Sequence, residues 1–132
     1  MFVILCIFVG GGLGSLARFL LSGWVMRHFD GAVSGIHTHN FPWGTLAVNL
    51  LGAFCIAVLA ELMGTRFDAP DWMRALLITG VLGGFTTFSA FSLESANLLQ
   101  RNEPLLFACY VAASVGGCIG IVVLVHRVLK LA

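Results

Sequence analysis

The charges of this chain are arranged so that four long stretches have almost none, and that pattern limits its possible folds more than any other feature. Residues 1–17 carry no Asp, Glu, Lys or Arg, and after Arg18 the chain runs apolar again to Met26. Residues 31–60, 75–93 and 104–125 are likewise without charge. A helix that crosses a bilayer needs about 20 mostly apolar residues. Four spans are therefore expected, roughly 2–26, 43–63, 73–98 and 104–128. The first is too long, and too poor in cleavage-site residues, to read as a removable signal peptide. Composition agrees: 59% of the 132 residues are hydrophobic, 10% are charged and the mean hydropathy is +1.00. Such a chain is an all-α integral membrane protein of one domain, residues 1–132.

The connecting segments hold the breakers and the charges, from Arg27 to Trp43, from Gly64 to Asp71 and from Gln100 to Pro104. His37 and His39 fall in the first of these and read as solvated. Trp24, Trp43 and Trp72 sit at span ends, where the indole suits the membrane–water boundary. With four spans, both termini and the 64–74 loop share one side, together with Arg66, Arg74, Arg127 and Lys130. Arg27 and Arg101 lie on the other, joined by Arg18 if its side chain reaches outward. Positive charge orients membrane proteins, and here the bias is slight. A chain so weakly oriented could insert both ways, and two inverted copies could pair. Small residues four apart (Gly10 and Gly14, Gly80 and Gly84, Gly116 and Gly120) would let helices approach closely.

Several function classes are excluded. A net charge of +1 gives no basic surface for nucleic acid. Cys6, Cys55, Cys109 and Cys118 are scattered through apolar stretches with no Cys-x-x-Cys pair, so neither a zinc site nor a redox motif is indicated. No nucleophile–base pair or metal cluster suggests an enzyme.

Residues 83–92 read Gly-Gly-Phe-Thr-Thr-Phe-Ser-Ala-Phe-Ser. Hydroxyls gain little from hydrocarbon and glycines loosen a helix, so this is a poor membrane anchor. It suits a third span that is broken mid-membrane, where freed carbonyls must find partners. A hard cation such as sodium accepts several such oxygens, and a two-fold copy would double the few that one chain offers. Phe88 and Phe91, three apart, share a face, and aromatic edges carry partial positive charge that attracts an anion without holding it. Plain core packing is the alternative for this pair. Thr45 and Asn49 share a face of the second span, and Tyr110, Ser114 and Cys118 form a stripe along the fourth. Interhelical glue, or local bonding of Ser114 back to the carbonyl at 110, would also account for these groups. Glu94 is either a buried functional carboxylate or a charge at the membrane edge. Arg18 either snorkels or raises anion concentration at a vestibule.

Three segments together resemble a known family. Gly10-Gly-Gly-Leu-Gly-Ser-Leu-Ala-Arg18-Phe is similar to its first-helix pattern, Phe41-Pro-Trp-Gly-Thr45-Leu-Ala-Val-Asn49-Leu-Leu-Gly52 to its second, and the run from Gly80 through Gly83, Thr86, Phe88 and Phe91 to Glu94 to its third. The chain resembles the Fluc (CrcB) family of bacterial fluoride channels over essentially its whole length. The resemblance implies an antiparallel dual-topology homodimer in the bacterial inner membrane, with two pores and a central structural sodium ion (Na+). It places the sodium on the backbone carbonyls of Gly83 and Thr86, the pore phenylalanines at Phe88 and Phe91, and the central asparagine at Asn49. It draws the polar track through Thr45, Ser89, Glu94, Tyr110 and Ser114. Cys118 stands where some members carry a hydroxyl, and Ala90 replaces a common threonine. Fluoride is the implied ion, leaving the cell passively; composition and spacing alone do not name it. A small multidrug transporter is the competing reading, but its first span would want a carboxylate where this chain has Arg18. A non-transporting assembly subunit is a third.

Overall fold

Apolar runs of this length leave each backbone N–H and C=O to be satisfied within its own segment, and the helix is the form that does so. The computed structural model describes residues 1–32, 41–66 and 68–131, and these are helical with short connections. His37 and His39 lie outside the described residues. Among the described residues, four helices are long and apolar enough to cross a membrane: Phe2–Phe29, Trp43–Thr65, Asp71–Gln100 and Pro104–Leu131.

The first span is one helix, α1 (Phe2–Ala32). The second is α2 (Trp43–Glu61), continued by a π-helical turn, Leu62–Arg66. The third is composite: α3 (Asp71–Arg74), a π-helical stretch Ala75–Leu82, α4 (Gly83–Phe85), then an interruption, then α5 (Phe88–Gln100). The fourth joins α6 (Pro104–Val111), the π-helical turn Ala112–Gly116 and α7 (Gly117–Leu131).

Glycine decides how α1 meets the third span. A Cβ at Gly14 would collide with the Val81 carbonyl, and one at Gly84 with the Gly11 carbonyl. The two backbones therefore touch, and dispersion along that seam replaces the hydrophobic drive that lipid does not supply. Gly116 and Gly120, expected to pack in the same way, have open space where a Cβ would stand. Their spacing serves no contact among the described residues, because the faces that α2 and α7 share are set by other positions.

The ends are pinned by polar contacts. Arg74 donates from Nη2 to the Met63 carbonyl at 2.6 Å and from Nε to the Ala69 carbonyl at 3.1 Å, which ties the 64–74 connection to the helix beside it. His126 Nε2 stands 3.6 Å from Glu61 Oε2, linking the far ends of α7 and α2. At the opposite end, Asn102 adopts φ 57°, a left-handed conformation that asparagine tolerates, and Pro104 opens α6 where its missing N–H is no loss. This tight turn lays α6 back along α5. A core of Phe41, Leu46, Phe91, Leu98 and Tyr110 fills the space between α5, α6 and the start of α2.

Candidate functional site

The third span breaks at two residues. Thr86 (φ −77°, ψ 156°) and Thr87 (φ −150°, ψ 118°) are extended, while Gly83 and Gly84 remain helical. Glycines set beside Thr86 and Thr87 are the expected weak point of the span, and the interruption falls on the two threonines. Gly84 is needed where α1 passes, and the threonines carry the polar groups that an extended backbone requires. The Thr86 hydroxyl donates back to the Leu82 carbonyl at 2.9 Å and finishes α4. Thr87 Oγ1 accepts from the Ala90 N–H at 3.2 Å and caps α5.

Asn49 holds the break from the side. Its Oδ1 accepts from the Thr87 N–H at 2.9 Å, and its Nδ2 donates to the Thr87 carbonyl at 3.0 Å. One amide side chain thus mimics a strand partner for one residue. The approach is close because residue 52 is glycine: a Cβ there would collide with the Thr86 methyl. These bonds have a consequence for two carbonyls. In a continuous helix, Thr87 N–H would bond to Gly83 and Ala90 N–H to Thr86. The first goes to Asn49 and the second to the Thr87 hydroxyl. The Gly83 and Thr86 carbonyls lose their helical donors, and they are the two oxygens expected to hold sodium. Hard oxygen donors of this kind suit that ion.

A second polar knot lies two turns along α5. Thr45 Oγ1 donates to Glu94 Oε1 and the Tyr110 hydroxyl to Glu94 Oε2, both at 2.7 Å. Three spans thereby meet at one half-buried carboxylate. Tyr110 is fully buried, held by Phe41 edge-on at 5.6 Å and by Phe91 at 5.2 Å between ring centroids. Phe91 is 9% exposed and Phe88 77%, with their centroids 5.4 Å apart and the rings tilted by 42°. Phe91 is thus part of the core, and Phe88 stands on the open face of the molecule.

Two cavities flank the break. One of about 370 Å³ is bounded by Asn49, Thr87, Phe88, Phe91, Ser114 and Cys118. The Ser114 hydroxyl is buried without a hydrogen-bond partner among the described residues. Such a donor is costly unless something else takes it. The other cavity, about 430 Å³, is bounded by Ser15, Arg18, Ser22, Thr45, Thr87 and Glu94. Arg18 thus faces a polar recess shared with α2 and α5. The expected stripe on the fourth span divides: Tyr110 joins the Glu94 knot, while Ser114 and Cys118 line the first cavity. Ser89 lies 3.2 Å from the Thr87 hydroxyl, at the start of α5.

Residues 5–126 match the family described as CrcB-like protein, Camphor Resistance (CrcB). The chain belongs to this family. Half of its residues over a 107-residue stretch are identical to the fluoride-specific ion channel FluC of Rhizobium johnstonii, covering 81% of this chain and 79% of that one. The FluC of Agrobacterium fabrum is 49% identical over 105 residues, 80% of this chain and 78% of the relative. That of Granulibacter bethesdensis is 39% identical over 126 residues, 96% and 93% of the two chains. Like the family's FluC members, the chain is a multi-pass membrane protein.

Within this CrcB-like chain, three site residues escaped sequence reasoning. Ser22 lies four residues beyond Arg18, on the same face of α1, a spacing that could have flagged it. Ser15 donates to the Gly84 carbonyl at 3.5 Å. Phe41 reads in sequence as a loop residue before a proline, and only the fold shows it against Tyr110.

Proposed function

We propose that the chain is a passive, fluoride-selective channel that lets cytoplasmic fluoride leave down its electrochemical gradient and so confers fluoride resistance. It is a channel and not an enzyme. The observation that carries the reading is the likeness to FluC channels across at least four fifths of the chain at about half identity. Fluoride accumulates because neutral HF crosses membranes and ionises inside, and a negative-inside potential favours the anion's exit.

The working unit in this reading is an antiparallel, dual-topology homodimer in the inner membrane, with two pores. The slight charge bias supports it, as does the exposed face of α5, where Phe88 and Leu93 project. A single copy leaves the Gly83 and Thr86 carbonyls of the break with only two oxygens; a two-fold mate brings two more. Sodium held there would supply a fixed positive charge at the dimer centre.

The path needs donors in place of fluoride's water shell, without a full charge that would trap the ion. Ser114 offers a hydroxyl, and Asn49 has a second N–H beyond the one given to Thr87. Phe88 and Phe91 line the same cavity, where their ring edges would attract the anion. Thr45, Tyr110 and Glu94 continue the track, with Ser89 beside the break and Arg18 drawing anions to the recess it lines.

Purified protein in liposomes, followed with a fluoride electrode, tests the reading. Fast efflux that depends on an added potassium ionophore, with chloride retained, is the expected result. Phe88→Ile and Phe91→Ile should each reduce the rate at least about tenfold while the dimer persists, if aromatic edges supply the stabilisation that aliphatic groups lack. Undiminished efflux from both variants would sink the aromatic path, and no efflux from well-folded parent protein would sink the channel.

A further inference from the structure

The break in the third span frees more oxygens than the two expected to hold sodium. In a continuous helix the carbonyls of residues 83 to 86 would accept from the N–H groups of residues 87 to 90. With Thr87 capping a new helix, those N–H groups lie beyond the interruption, and the carbonyls at a helix end point onward into it. Leu82, one residue earlier, is served twice, by the Thr86 N–H at 3.0 Å and by the Thr86 hydroxyl at 2.9 Å. Gly83 stands on the open face of the span, Phe85 is buried, and Gly84 lies between them. The Gly84 carbonyl is the next oxygen that a cation beside Gly83 could recruit.

That carbonyl is taken by another helix. Ser15 of α1 donates to it at 3.5 Å, and among the described residues it is the one carbonyl of residues 83 to 86 that a side chain serves. Glycine builds the meeting: a Cβ at Gly84 would collide with the Gly11 carbonyl, and Ser15 is four residues on from Gly11, on the same face of α1. With the two backbones in contact, a side chain as short as serine reaches across. At 3.5 Å the bond is long, so the hydroxyl competes with a cation for Gly84 and does not lock the carbonyl away.

We infer that Ser15 is a positioning residue that sets the cation preference of the break by keeping the Gly84 carbonyl out of it. The inference rests on the sodium reading above and deepens it. An alkali cation exchanges its water for oxygens, and the number and strength of the carbonyls offered decide which cation is suited. Gly83 and Thr86 contribute two oxygens from each copy; a freed Gly84 would make three. A larger set of oxygens suits a larger cation, here potassium. By holding the set small, Ser15 favours sodium.

The test is thermal unfolding of the purified full-length chain with sodium or potassium chloride added, total ionic strength being held constant with an organic chloride salt. An ion that binds the folded state raises Tm as its concentration rises, so each cation yields a dissociation constant without any flux measurement. The parent should favour sodium. Ser15→Ala should narrow the ratio of the potassium to the sodium constant about fivefold, the scale of one hydrogen bond to a carbonyl. Ser15→Thr and Ser15→Val share a shape and differ in the hydroxyl; the first should keep the parental ratio and the second should match Ser15→Ala. Thr65→Ala removes a hydroxyl-to-carbonyl bond to Glu61, in the turn that follows α2, and should leave the ratio unchanged. A hydroxyl that only braces the helices would, when removed, lower Tm equally at every salt concentration and leave the ratio alone. A parental ratio in either Ser15→Ala or Ser15→Val, or a narrowed one in Ser15→Thr, overturns the role of Ser15 and leaves the sodium reading standing. A parent stabilised no more by sodium than by potassium overturns that reading and this inference with it.

Discussion

The third and fourth spans carry nearly the same ingredients and use them differently. Each has a glycine pair, Gly83-Gly84 in one and Gly116-Gly117 in the other, with a hydroxyl residue nearby and a π-helical stretch. The third comes apart at Thr86 and Thr87; the fourth runs on into α7. The difference is the supply of partners. Thr87 caps the helix that follows, and Asn49 reaches across from α2 to bond both backbone groups of Thr87. Nothing equivalent is bonded to the backbone at Gly116 and Gly117 among the described residues. Glycine makes a break cheap, but a break in an apolar setting persists only where the released groups are satisfied.

The sharpest way to break this comparison is Asn49→Leu, which removes both bonds to Thr87 and leaves a backbone N–H unpartnered. Stability should fall by about 2–4 kcal/mol, and fluoride efflux should drop at least about tenfold. Thermal unfolding in detergent and electrode traces would report the two. If the variant conducts like the parent, the clamp is not what holds the break. Next comes Gly84→Ala, whose new methyl meets the Gly11 backbone where α1 crosses α4. A loss of about 1–3 kcal/mol is expected, because neither backbone can retreat. Thr87→Val deletes the cap of α5 and should cost about 1 kcal/mol in thermal unfolding. Smallest of all, Gly120→Ala places a methyl into open space on α7. It should be neutral or stabilising by up to about 1 kcal/mol, as a helix gains from losing a glycine. A large loss there would mean that the fourth span has a close neighbour that a single copy does not contain.

Much of the site was legible residue by residue. Asn49, Thr86, Phe88, Phe91 and Ser114 were singled out by polarity or aromaticity inside an apolar run, and they border one cavity. Periodicity found Thr45, Glu94 and Tyr110 separately but could not join them, because each belongs to a different span. Helical spacing reports which residues share a face and is silent on which face another helix meets. For the same reason Gly10, Gly14, Gly116 and Gly120 looked alike in sequence, and only the first pair lies at a backbone contact.

The sequence by itself determined the four spans, since charge-free runs of this length have no other stable home than a helix in lipid. It also determined that the third span carries more polar groups than hydrocarbon tolerates. The tertiary structure alone decided where the span breaks, which carbonyls are released, and that Glu94 takes the hydroxyls of Thr45 and Tyr110. Those outcomes depend on a side chain from one helix finding the backbone of another, and such a meeting is set by how helices pack.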